Sequence, residues 1–113
     1  FTEESGARAM AELLDRRPDV DGVFVASDLM ALGALRVLHE RGRRVPRDVA
    51  VVGFDDMETV VRASDPALTT VRQDVEGLGR LSVKLLLKLL NRPAGHVPAS
   101  VIMPTTLIRR ASA

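Results

Sequence analysis

The segment "DVAVVGFDD", Asp48 to Asp56, constrains the fold more than any other part of this chain. From Val49 to Phe54 it carries no charge and does not alternate apolar with polar residues. A strand with one face in water alternates; a continuous apolar run suits a parallel strand covered on both faces. Parallel strands need crossover connections, and helices usually supply them. The run stops at two adjacent carboxylates, Asp55 and Asp56. Acids placed where a buried strand meets solvent either cap the next turn or hold a partner.

The rest of the chain supplies the expected helices. Thr2 is a plausible N-cap, with Glu3 and Glu4 in the first turn, where the helix dipole favours acids. Ala7, Met10, Ala11 and Leu14 recur at helical spacing, and Pro18 ends the helix. After Asp21 and Gly22, Val23 to Ala26 reads as a short strand. "SDLMALGALRVLHERG" is a second helix, capped by Ser27 or Asp28, with Gly42 as its left-handed C′ residue. A proline-marked loop, "METVVRASDPA", follows the paired acids, and "TTVRQ" is a third strand. In the longest helix, Asp74 to Asn91, Val75, Leu78, Ser82, Leu85 and Leu89 form one line, which Leu81, Leu86 and Leu90 widen. Arg80, Lys84 and Lys88 form its opposite face, and Asn91 and Pro93 stop it. "SVIMPTTLIRR" closes the chain as one or two strands broken at Pro104, and Ala111 to Ala113 are expected to fray. The order predicts an α/β fold with a mostly parallel sheet flanked by helices.

The 113 residues allow one domain at most, and the opening Phe1 suggests a piece of something longer. A net charge of +1 gives no field that would attract nucleic acid or an anionic membrane. The most basic segment, Arg41 to Arg47, reads as a solvated helix end and loop. The sequence has no cysteine, which excludes disulfides and thiolate metal sites and fits a reducing compartment. No run reaches the roughly 18 apolar residues of a membrane span, and no leader is visible. His39 and His96 sit in polar surroundings and read as solvated. The sequence holds no P-loop, G-x-G-x-x-G or G-x-S-x-G motif, and no metal or cofactor site is expected.

In open parallel sheets, ligands bind beyond the carboxyl ends of the strands. Ser27 and Asp28 follow the first strand and Asp55 and Asp56 the second, so neighbouring strands would bring them to one edge. An ionised carboxylate accepts hydrogen bonds only. It suits sugar hydroxyls, the N–H groups of a base, a divalent cation or a phosphoryl group, and spacing alone does not choose among them. Asp28 and Asp56 could equally be caps. Asp55 directly follows an apolar strand and needs a partner once partly buried.

These residues resemble the regulatory core of the lactose/galactose repressor (LacI/GalR) family. The resemblance rests on "ASDLMALGAL", then "VPRDVAVVGFDD", then "LTTVRQD" before "GRLSVKLLL", and it covers nearly the whole chain. It implies the C-terminal portion of a two-lobed periplasmic-binding-protein-like core with flavodoxin-like lobes. Residues 1–68 would belong to the C-terminal lobe, and 69–113 would be a crossover segment, long helix and closing strands. It implies a small, sugar-like effector contacted by Phe1 through stacking and by Ser27, Asp28, Asp55 and Gln73. It also implies a cytoplasmic homodimer and DNA binding through a helix-turn-helix outside this chain. The helix carrying Leu29, Leu32 and Leu35 would lie at the dimer interface, which accounts for its being apolar almost all round. A transporter's solute-binding protein is the nearest rival reading. A carboxylate-dependent phosphohydrolase or phosphoacceptor domain is a more distant one; no enzyme activity is expected. The apolar stripe of the long helix requires cover, either from the chain's own sheet or from a partner.

Overall fold

The computed structural model describes residues 1–92, 94–95 and 100–113. Pro93 and His96, named above, lie outside the described residues. The chain forms two compact units, one of Phe1–Arg72 with Thr106–Ala113 and one of Gln73–Thr105.

In the first unit, Thr2 starts α1 (Glu3–Arg16) through a capping box. Thr2 Oγ1 accepts from the Ser5 amide and Ser5 Oγ accepts from the Thr2 amide, both at 3.0 Å. The elements β1 (Gly22–Phe24), α2 (Asp28–Glu40), β2 (Ala50–Asp55), α3 (Glu58–Ala63), β3 (Thr69–Arg72) and β4 (Thr106–Ile108) follow. The strands lie in the order β1-β2-β3-β4. The first three are parallel, with Val23 opposite Val51 and Gly53 opposite Thr70; β4 is antiparallel to β3, with Leu107 opposite Val71. Thus β3 and β4, expected in a separate C-terminal segment, complete this unit's sheet. The strand β1 is shorter at its end than expected because the chain commits Ser27 to capping α2. Gly42 takes the expected left-handed conformation, with φ 70°.

The segment read as a loop contains α3. It has only six residues, one of them buried (Val60), and no side-chain cap, so no apolar period announces it. Its Glu58–Arg62 pair spans one turn.

The core lies where α1 and α2 cover one face of the sheet. Ala7, Met10 and Leu14 of α1 and Ala31, Ala34, Leu35 and Leu38 of α2 join Val49, Val51 and Leu68. The helices meet at two glycines: a Cβ on Gly6 would lie 2.0 Å from Met30 O, and one on Gly33 1.9 Å from Glu3 O. Of the three leucines assigned above to a subunit interface, Leu35 is 6% exposed and joins the core, while Leu29 and Leu32 are half-buried.

The expected cover on both faces of β2 is not found. Burial alternates along the strand: Val51 and Gly53 are buried, whereas Ala50, Val52 and Phe54 are half-buried. Phe24 is 64% exposed, and its ring meets Phe54 edge-on with centroids 6.3 Å apart. The helix α2 packs on the Val51 side and α1 packs on α2.

The end of the chain is not frayed. Ser112 is fully buried between β2 and β3. Its hydroxyl donates to Val51 O at 2.6 Å and accepts from the Thr69 amide at 2.8 Å. Its carbonyl accepts from the Val51 amide at 2.8 Å.

The second unit holds α4 (Val75–Leu90), capped by Asp74, which accepts from the Gly77 amide at 2.9 Å. None of its residues is buried. Among the described residues no helix is long and apolar enough to cross a membrane.

Candidate functional site

The end of β2 departs from ordinary backbone geometry at both acids. Asp55 has φ 115° and Asp56 φ 59°. Positive φ is uncommon in residues with a Cβ, and such strain persists only where the surroundings enforce it. Here the surroundings are specific. The Asp56 carboxylate is 7% exposed and lies between two guanidiniums, 2.5 Å from Arg72 Nε and 2.8 Å from a terminal nitrogen of Arg110. Burial alone would raise its pKa, but the hydrogen bonds and charges of Arg72 and Arg110 outweigh that and hold it below the usual carboxylate range. Arg110 is itself fixed, donating through its amide to Thr69 Oγ1 (2.8 Å) and through its side chain to Leu68 O (2.9 Å). Asp56, Arg72 and Arg110 line a cleft of about 400 Å³ together with Glu58, Val61 and Arg62.

Across the same turn stands Asp28, which is fully buried. Its carboxylate accepts from Thr70 Oγ1 at 2.5 Å and from the Met57 amide at 2.8 Å. Gly53 makes room for it, since a Cβ there would lie 2.4 Å from Asp28 Oδ1. Asp28 therefore points inward, with both oxygens engaged, and does not cap α2. Ser27 does, accepting from the Met30 amide at 3.3 Å.

The structure thus gathers Ser27, Asp28, Asp55 and Asp56 at the carboxyl ends of β1 and β2. Phe1, 84% exposed, precedes the α1 cap. Gln73 is half-buried and opens the second unit. Sequence reasoning missed Gly53, Thr70, Arg72 and Arg110. The spacing of Thr70 and Arg72 places both on one face of β3, a signal available in "TTVRQ"; Arg110 lies far along the chain and leaves none. Among the described residues no group of three or more His, Cys, Asp or Glu is placed to hold a metal ion.

Carboxylates brought together at the carboxyl ends of parallel strands suit recognition of a polar small molecule. Comparison with known proteins gives that chemistry a family. The sequence pattern of the periplasmic binding protein-like domain matches residues 1–113. The chain belongs to this family. As a periplasmic binding protein-like domain it is 52% identical to the HTH-type transcriptional regulator CelR of Thermobifida fusca, over 99% of this chain and 32% of CelR. It superimposes on the CelR–cellobiose complex with a TM-score of 0.90 and 50% identity, over 100% of this chain and 34% of that one. The lac repressor dimer bound to operator and the anti-inducer ONPF gives a TM-score of 0.86 and 37% identity, over 98% of this chain and 33% of the repressor chain. The domain spans about a third of the length of the curated relatives it matches. Within the family its kin are LacI-type transcriptional regulators, as the sequence motifs implied.

Proposed function

We propose that this chain is the effector-binding part of a LacI-type transcriptional regulator that senses a sugar. The observation that carries the reading is the end-to-end match to a regulator solved with cellobiose, at a TM-score of 0.90. The strained Asp55–Asp56 tip, which needs a reason beyond folding, supports it. Asp55 accepts hydrogen bonds from sugar hydroxyls, Phe1 stacks on the apolar face of the ring, and Ser27 adds a polar contact. Asp28, with both oxygens occupied inside the chain, supports the site from below and does not touch the sugar. DNA is read by a segment outside this chain, and no catalytic step is assigned.

Calorimetric titration of the full-length protein with cellobiose, lactose and ribose tests this. Those sugars are bound by similar proteins of known structure. At least one is expected to bind with measurable heat. A regulator that ignores all three would remove the sugar reading.

The protein also acts as a dimer in this proposal, through the face of α2 that carries Leu29 and Leu32. The support is their incomplete burial on a helix whose other apolar residues, apart from the half-buried Met30, are buried. Burying a leucine is worth about 1.5–3 kcal/mol, and each dimer buries two copies. Leu32→Lys is therefore expected to weaken self-association by about two orders of magnitude or more. Sedimentation equilibrium at micromolar concentration reads it directly. An unchanged Leu32→Lys dimer would move the interface elsewhere.

A further inference from the structure

We infer that Asp28 and the Asp56–Arg72–Arg110 group are positioning residues: they clamp the β2 turn from two sides and hold Asp55 in the backbone conformation that presents it to the effector. The inference rests on the reading of Asp55 as an effector ligand. It goes beyond that reading by assigning a shared task to groups that touch no effector.

One jaw grips the side chain of Asp56. Two guanidiniums hold that carboxylate, and Arg110 is tied in turn to Leu68 O and Thr69 Oγ1 at the start of β3. The other jaw grips the backbone one residue later. Asp28 Oδ2 accepts from the Met57 amide, while Asp28 Oδ1 is fixed by the buried Thr70 hydroxyl. The φ 59° residue and the one after it are therefore held by charge-assisted hydrogen bonds, which are stronger than neutral ones. Neither jaw is local: Arg110 reaches the turn from the closing strand, and Asp28 from the start of α2. A single unsupported residue in this conformation would relax. With the two residues that follow it fixed, Asp55 is held in its conformation by contacts from β3, α2 and the segment after β4.

The test uses two variants of the full-length protein, Asp28→Asn and Arg110→Gln, with two readouts. Amide hydrogen exchange is measured without ligand at Asp56 and Met57 and, for comparison, at Val51 and Leu38. Exchange at Met57 is expected to rise about tenfold or more in Asp28→Asn, and exchange at Asp56 likewise in Arg110→Gln, with Val51 and Leu38 nearly unchanged. Affinity is then measured for whichever of cellobiose, lactose and ribose binds the wild type. Each variant is expected to lose about tenfold in affinity. In an Asp55→Ala background the same changes should cost nothing further, because the residue they position is gone. Uniformly faster exchange, or unchanged exchange at the turn, would overturn the clamp. An affinity loss that persists in full without Asp55 would also overturn it. If none of the three sugars binds, the exchange rates still decide whether the clamp exists, and the sugar reading alone fails. If Asp28→Asn does not fold, Arg110→Gln carries the test, since its side chain reaches the surface.

Discussion

Gly33→Ala is expected to cost about 2–4 kcal/mol, at or above the upper end of ordinary overpacking. A methyl at this position would lie 1.9 Å from Glu3 O and 2.7 Å from the Ala7 amide nitrogen. Both are backbone atoms of α1, so no side-chain rotation relieves the contact. The helices must separate, and Ala7, Met10 and Ala34 lose packing along the crossing. Alanine gains about 1 kcal/mol over glycine in helix propensity, which is too little to offset the separation. Gly22→Ala is the control, because a Cβ there meets nothing within 4 Å. Urea denaturation should show a lower midpoint for Gly33→Ala and one within error of wild type for Gly22→Ala. An unchanged Gly33→Ala midpoint would mean that α1 and α2 do not cross this closely.

Ser112→Ala is expected to cost about 2–4 kcal/mol, from one orphaned buried donor and one lost hydrogen bond. The serine hydroxyl is the partner of the Thr69 amide and donates to Val51 O. Alanine removes the acceptor of that buried amide. The same urea experiment checks this, with Ser82→Ala as the comparison. Ser82 is exposed on α4, and its hydroxyl bonds only to Leu78 O. Equal midpoints for the two variants would show that the chain end does not bridge the sheet.

The fold was largely readable from the residues, for reasons the two variants illustrate. The helices α1, α2 and α4 carry apolar periods and capping residues, and the run from Val49 to Phe54 announces a parallel strand. The missing parts depend on distance. Nothing near Arg110 says that it will meet Asp56, and nothing around Ser112 says that this serine will be fully buried. The helix α3 is too short to show a period. At the site, the strand-tip rule found Ser27, Asp28, Asp55 and Asp56 together but could not assign their tasks. Whether an aspartate faces a ligand or the protein depends on Thr70, the Met57 amide and Gly53, which come from two other elements. The same holds for α2: an all-round apolar helix does not say which of Leu29, Leu32 and Leu35 will be most buried, and it is Leu35.

The central claim is that Asp55 holds the sugar. It is tested most directly by calorimetric titration of the full-length wild type and its Asp55→Ala variant with cellobiose, the ligand of the CelR complex that this chain resembles. A charge-assisted hydrogen bond contributes about 1.5–3 kcal/mol, so affinity should fall by about 10- to 150-fold while the denaturation midpoint stays near wild type. Cellobiose binding of unchanged affinity in Asp55→Ala would contradict the claim.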